Sequence, residues 1–307
     1  MNIELVRYPS RPKNVSASRC VLTLGSFDGL HLGHQSLIAS LPTSYPRVVI
    51  SFYPHPIKVI RGIAVPRLAS LRSQLRILSS LGVSTLYLVR FSKELAQWSA
   101  QRFVNEIILP LNPQHIVVGA DAHIGVGREG DVRWMTHEFA SRGIDLSVAP
   151  YLTVSEGRIS SRRARESLAA GDLALVSALL GRPFSLSGIA RHGAGRGRTI
   201  GFPTANLRPR PQELLPPRGV YITTASYQGK SYPSITNIGY APTFNLNNST
   251  SVETHVLHPV QEDLYNKHLE IAFYERIRDE IQFNSPTELV AQIAKDCARA
   301  KAFHGIS

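Results

Sequence analysis

The feature that most constrains this chain is an alternation. Between residues 20 and 150, short β-rich apolar runs at 20–24, 48–52, 85–89, 116–118 and 144–148 are separated by stretches with helical spacing. Leu71, Leu75, Leu78 and Leu81 form one apolar stripe; Phe103, Val104, Ile107, Ile108 and Leu111 form another. Strands alternating with helices build βαβ units, and so a doubly wound α/β domain: a parallel sheet with helices on both faces. Ligands of such sheets sit beyond the carboxyl ends of the strands. Three stretches rich in chemistry fall there: Gly25-Ser-Phe-Asp-Gly-Leu-His-Leu-Gly-His-Gln35, Tyr53-Pro-His-Pro56 and Gly119-Ala-Asp121.

The pattern then changes. Two short helices are expected at 163–169 and 173–180, and Gly181-Arg-Pro183 reads as a domain boundary. From Phe184 the chain is β-rich, with runs at 219–227, 232–238, 251–257 and 269–274 separated by Gly, Pro and Asn turns. Regularly spaced strands without intervening helices predict an antiparallel barrel or sandwich, and a small barrel is the expectation adopted here. Ser285-Pro286 starts a last helix, with Leu289, Ile293 and Cys297 as its apolar stripe. The expected division is residues 1–182 and 183–307, each of ordinary domain size.

Composition narrows the function class. With 34 Lys and Arg against 22 Asp and Glu, the net charge of +12 favours anionic partners such as nucleotides. The basic residues are spread along the chain apart from Ser161-Arg-Arg-Ala-Arg165 and the run 191–198, and no aromatic-interleaved basic repeat is present. Nucleic acid is therefore not an expected partner. Cys20 and Cys297 have neither disulfide-framework nor zinc spacing and read as core residues of a reducing compartment. The first residues lack the apolar core of a signal peptide, and no apolar run approaches membrane-spanning length. A cytoplasmic protein without a membrane partner is expected; its oligomeric state is open.

Two stretches carry most of the chemistry. In His31-Leu-Gly-His34 the glycine allows close backbone approach to a phosphate, and two imidazoles three residues apart share a face of the first helical turn. The same pair could instead be metal ligands or a polar helix start. In Gly201-Phe-Pro-Thr-Ala-Asn206, an extended backbone would put Thr204 and Asn206 on one face, where their oxygens suit Mg²⁺. A plain turn is the alternative. No Gly-x4-Gly-Lys-Ser/Thr motif occurs; Gly193-Ala-Gly-Arg-Gly197, with Arg196 and Arg198, reads either as a glycine loop over phosphates or as a solvated basic turn. Gly125-Val-Gly-Arg-Glu-Gly130 fits a dinucleotide fingerprint with Asp145 downstream, but the preceding strand is expected to end at Gly119, so the glycines do not leave a strand directly.

The chain resembles the prokaryotic bifunctional riboflavin kinase/FMN adenylyltransferases (FAD synthetases) along nearly its whole length. In the first half the matching pieces are residues 25–35, Ser51-Phe-Tyr-Pro-His-Pro56, Gly119-Ala-Asp121, Arg128-Glu-Gly-Asp131 and Ile159-Ser-Ser161. In the second they are Leu179-Leu-Gly-Arg-Pro183, residues 197–206, Asn237-Ile-Gly239, Ala241-Pro-Thr-Phe244 and Val252-Glu-Thr-His255. The resemblance implies ATP-dependent riboflavin phosphorylation in the second half and adenylylation of FMN to FAD in the first, with riboflavin, FMN and ATP as ligands and Mg²⁺ as the metal. It implies that His31 and His34 handle the ATP phosphates and that Glu253 is the general base toward the riboflavin hydroxyl. It gives Gly25, Phe27, Asp28, Gly33, Asp121, Ser160, Ser161, Arg165, Gly197 and Arg198 to ATP. Pro54, His55, Pro56, Arg128 and Arg278 fall to the flavin, and Thr204 and Asn206 to the metal.

Departures from the family pattern concentrate in the first half. Asp121-Ala-His-Ile-Gly125 stands where the family has Asp-Phe-Arg-Phe-Gly, and Arg162 replaces a small hydroxyl residue. These leave open a riboflavin kinase whose adenylyltransferase half is inactive or altered. A non-catalytic flavin- or RNA-binding regulator is a third reading, opposed by the presence of Glu253 and His34.

Overall fold

The computed structural model describes residues 4–10, 19–192, 196–210, 212–240, 250–258 and 264–306. The chain divides into two compact units, Met1–Arg67 with Leu71–Ser161, and Leu68–Ser70 with Arg162–Ser307.

The first unit is built on a six-stranded sheet. Its strands are β1 (Glu4–Arg7), β2 (Cys20–Leu24), β3 (Arg47–Tyr53), β4 (Thr85–Arg90), β5 (Pro113–Gly119) and β6 (Asp145–Ala149). They lie in the order β1-β4-β3-β2-β5-β6 with every pairing parallel. The expected strands are present, and β1 is an unforeseen edge strand that pairs Glu4 with Thr85. Between them lie α1 (Leu32–Ala39), α2 (Pro56–Arg61), α3 (Leu71–Ser80), α4 (Ala100–Phe103) and α5 (Val132–Ala140). The doubly wound reading holds because alternate strand residues feed two separate apolar layers. Cys20, Leu22 and Ile50 join Phe103, Ile107 and Phe139; Val21, Val49 and Val117 join Ile38 and Leu78. Each fully buried Leu or Ile in these layers contributes about 1.5–3 kcal/mol. The 103–111 stripe is one continuous helical stretch in which α4 opens into a π-turn at Val104–Ile108 and tightens to 3₁₀ at Leu109–Leu111. All five residues of β2 are buried, as befits a central strand. The Cys20 thiol donates to the Leu111 carbonyl at 3.1 Å, and burial pushes its pKa up to about 12, so it is an inert core thiol.

Strand order reverses between β2 and β5, which places the switch point, and the crevice, at Gly25 and Gly119. A small hairpin, β7 (Thr153–Val154) with β8 (Gly157–Arg158), follows the sheet. Its two turn residues, Ser155 and Glu156, both have positive φ.

The second unit holds α6 (Ser161–Ala169, from Arg162 onward), α7 (Leu173–Leu180), β9 (Phe184–Arg191), α8 (Arg196–Thr199), β10 (Ala205–Leu207), β11 (Gly219–Tyr227), β12 (Lys230–Tyr240), β13 (Thr250–Val256), β14 (His268–Arg278) and α9 (Pro286–His304). The strands close an antiparallel barrel in the order β10-β13-β12-β11-β14-β9. Its interior combines the rings of Phe184, Tyr221 and Phe273 with buried hydroxyls of Thr223, Ser234, Thr236 and Thr254, which satisfy one another at 2.8–2.9 Å. The last helix begins as expected: the Ser285 hydroxyl accepts from the Glu288 N–H, and Pro286 occupies the first turn. Cys297 and Ala300 of α9 pack on Ile222 and Ile235 outside the barrel, joined by Ile293. Arg278 grips the buried Asp296 carboxylate through both Nε and Nη2, the latter at 2.7 Å.

Candidate active sites

In the first unit, the loop leaving β2 is held in an uncommon shape. Phe27 and Leu30 adopt φ of 47° and 44°, the left-handed region that non-glycine residues avoid. Both side chains are fully buried, and that burial offsets a conformational cost of about 1–3 kcal/mol each. The Asp28 carbonyl accepts from the Ser161 hydroxyl at 2.8 Å, tying this loop to Ile159-Ser-Ser161.

The two histidines meet, though not as two members of one helical turn. His31 is the N-cap of α1, where its Nδ1 accepts from the His34 N–H at 3.2 Å, and this leaves the His31 proton on Nε2. The rings stack with centroids 3.6 Å apart and planes 14° from parallel. Burial, and then the neighbouring His31, hold the His34 pKa well below the ordinary imidazole value, so His34 is neutral at pH 7. Its buried Nδ1 has no hydrogen-bond partner among the described residues. Gly33 has a local explanation: a Cβ there would lie 3.2 Å from the His31 Nδ1, pressing on the ring that caps the helix.

A cavity of about 390 Å³ opens at this point. Among the residues expected to bind ATP or flavin, it is lined by Gly25, Phe27, His31, Gly33, His34, Pro56, Asp121 and Ser160. Asp28 and Ser161 are not among the lining residues and are joined by their mutual bond. His55 caps α2, its Nδ1 accepting from the Ile57 N–H at 3.2 Å, and Pro54 follows Tyr53 through a cis peptide bond. Arg128 is exposed and lies in the loop of the Gly-x-Gly-x-x-Gly match. That loop is no dinucleotide cradle: Ile124 and Gly130 close it with paired backbone bonds. A Cβ at Gly125 or Gly130 would lie 2.8 or 2.7 Å from Ala100 atoms, so packing demands the glycines. Arg165 lies on α6 in the second unit.

Sequence reasoning missed Arg158. Its guanidinium lies 3.6 Å over the Tyr151 ring and 2.7 Å from the Asp121 carboxylate, and all three residues line the cavity. The only signal was the two-residue turn of the β7–β8 hairpin that carries it. His123 also lines the cavity, with its Nδ1 3.0 Å from the Asp121 carbonyl.

The second unit assembles a different set. Asn206 on β10 lies directly opposite Glu253 on β13, and Glu253 lies opposite Asn237 on β12. Arg191 on β9 extends the row beyond Asn206. Directly opposed residues share a face, so a carboxylate is flanked by two amides with a cation at one end. The buried neighbours Val252 and Thr254 turn inward, which puts the Glu253 row on the outer face. Asn206 donates from Nδ2 to the Thr204 hydroxyl at 3.4 Å, so the expected meeting of these side chains occurs. A hydroxyl and an amide beside a carboxylate form an oxygen donor set that fits Mg²⁺ bound mainly by phosphates and water. Among the described residues no group of three or more His, Cys, Asp or Glu could hold a metal alone. Gly197 is required locally, because the Phe202 carbonyl fills the place of its Cβ. The Arg198 side chain, Gly193-Ala-Gly195 and Ala241-Pro-Thr-Phe244 lie outside the described residues. Arg278, expected at the flavin, is held by Asp296 in the buried ion pair.

Comparison with known proteins matches residues 13–163 to the FAD synthetase family and residues 180–304 to the riboflavin kinase family. Bifunctional riboflavin kinase/FMN adenylyltransferase from Escherichia coli K12 is 38% identical over 94% of each chain. The protein of that name from Bacillus subtilis 168 is 34% identical over 95% of this chain and 94% of its own. The fold is also that of a Streptococcus pneumoniae crystal structure described as a macrolide-efflux protein, with TM-score 0.86, 29% identity and coverage of 96% and 97%. No helix among the described residues is long and apolar enough to cross a membrane. With this likeness spanning both units, the chain belongs to the bifunctional riboflavin kinase/FMN adenylyltransferase family.

Proposed function

We propose that this chain phosphorylates riboflavin to FMN with residues 183–307 and adenylylates FMN to FAD with residues 1–182, consuming ATP in each step. The observation that carries the reading is that each half furnishes a chemically distinct set of its own: a stacked imidazole pair beside a cavity, and a carboxylate between two amides.

For adenylyl transfer, an FMN phosphate oxygen attacks the α-phosphorus of ATP in line and pyrophosphate leaves; no enzyme-bound intermediate is needed. His31, protonated at Nε2, donates to a phosphate oxygen. Neutral His34 offers a hydrogen bond without adding a buried positive charge. The His31 cap bond fixes both rings before substrate arrives, so little reorganisation is left for the reaction. Phosphate oxygens would also meet Ser160 and the N–H groups near Gly25 and Gly33. Arg158, braced by Tyr151 and Asp121, supplies positive charge to the cavity.

For phosphorylation, Glu253 accepts the proton of the riboflavin 5′-hydroxyl as its oxygen attacks the γ-phosphorus and ADP leaves. Asn206 and Asn237 orient the carboxylate from either side. Thr204 and Asn206 would hold Mg²⁺, which when bound neutralises phosphate charge. Gly197 brings backbone close to Phe202 and Thr204, and the family resemblance would give Arg198 to the ATP phosphates.

The test is to incubate purified protein with riboflavin, ATP and Mg²⁺ and resolve the flavins. FMN followed by FAD is expected; absence of both overturns the proposal, and FMN without FAD limits it to the kinase half.

A further inference from the structure

The Pro203–Thr204 segment is held by side chains from elsewhere. Its pairing as strand begins only at Ala205, so the two preceding carbonyls have no ladder partners. Both are instead taken by side chains. His255, on β13, lies with Nδ1 2.8 Å from the Pro203 carbonyl, and Tyr265 donates its hydroxyl to the Thr204 carbonyl at 3.1 Å. Tyr265 has a second attachment. Its ring stacks on His192, centroids 3.6 Å apart and planes 22° from parallel, and His192 immediately precedes Gly193.

The turn bearing Tyr265 is shaped for this. Asn266 takes φ of 59°, its N–H donates to the Ala190 carbonyl at 2.8 Å, and the Ala190 N–H donates to the Lys267 carbonyl at 2.8 Å. Leu264 anchors the other side in the core. Tyr265 is thus presented from a stiff turn, with its ring on one chemical segment and its hydroxyl on another.

We propose that Tyr265 is a positioning residue for riboflavin phosphorylation, fixing Thr204 so that the Thr204 and Asn206 side chains face Glu253 as one set. The inference rests on the kinase reading of the second unit. Tyr265 touches no reacting atom; it acts through the Thr204 backbone. Removing the hydroxyl leaves the ring seated on His192 but frees the carbonyl, so Thr204 and Asn206 lose their common orientation while Glu253 keeps its strand.

The experiment compares the full chain with Tyr265→Phe. Three quantities are measured: the Mg²⁺ dependence of riboflavin phosphorylation at saturating ATP, the KM for riboflavin, and hydrogen exchange in the peptide spanning 202–207. Loss of one hydrogen bond is expected to raise the half-saturating Mg²⁺ concentration about 3- to 10-fold. Exchange at the Ala205 and Asn206 amides should become faster, while the KM for riboflavin stays within about two-fold. His192→Ala should move the same quantities in the same direction, and His192→Phe, which retains a ring for stacking, should move them less. Unchanged Mg²⁺ dependence in Tyr265→Phe overturns the proposal, including the case where turnover falls uniformly, since that is what a purely structural role would give. If the unmodified protein phosphorylates no riboflavin, the kinase reading fails; unchanged exchange in 202–207 would then separately overturn the Tyr265 tether.

Discussion

Gly33 shows how a single missing carbon shapes the first site. Its neighbour across the turn is the His31 ring, which must cap α1 and stack on His34 at once. Gly33→Ala places a methyl 3.2 Å from Nδ1, so the ring must give way. Adenylyl transfer from ATP to FMN should fall by at least about ten-fold, a 1.4 kcal/mol loss of positioning, with riboflavin phosphorylation untouched; assays of the two half-reactions on one preparation check this. His34 makes a pH prediction. Its folded pKa is lowered, whereas in the unfolded chain it titrates near the usual value of about 6.5. Above that pH both states are neutral and His34 contributes no slope. Below it the unfolded state binds a proton that the folded state refuses, so stability falls as the pH falls, until the folded pKa is reached. Unfolding curves at pH 7.5 and 5.5 should show this loss in the unmodified protein and a smaller one in His34→Gln.

At the scale of elements, α9 is fastened by its first turn and by one buried ion pair. Ser285→Ala removes the cap and should cost about 1 kcal/mol. Asp296→Ala should cost about 3 kcal/mol, because it strands the Arg278 guanidinium that Asp296 engages from two sides. Denaturant midpoints measure both. These elements also show what a sequence can and cannot carry. The central strands, α9 and its cap were legible because period and capping are local properties. The barrel strands β9 and β10 were not: β10 has three residues, too few for any period, and β9 mixes serines and a glycine among its apolar positions. The candidate residues His31, His34 and Glu253 were read from motifs. Their partners were hidden for a physical reason: the Asn206–Glu253–Asn237 row is a matter of strand register, and Asn206 and Glu253, 47 residues apart in the chain, become neighbours only when the barrel closes. Arg158 was missed because a hairpin with two-residue strands leaves almost no trace in composition.

Taken as a whole, the molecule divides its chemistry. A net charge of +12 suits a protein whose ligands are nucleotides and flavin phosphates, and it draws them toward both units without distinguishing one from the other. Discrimination comes from what each fold can present. A parallel sheet offers a switch-point cavity and a helix N-terminus, suited to gripping a triphosphate whose α-phosphorus is attacked. A closed barrel offers a register-locked row of side chains, suited to holding a base at a fixed distance from a hydroxyl. The central claim, two independent sites in one chain, is tested most directly by the flavin products of Glu253→Gln. Loss of the base should lower riboflavin phosphorylation by about 10²- to 10⁴-fold. The same variant supplied with FMN and ATP should form FAD at the unmodified rate. FMN production from riboflavin at the unmodified rate, or loss of FAD formation from supplied FMN, would contradict the account.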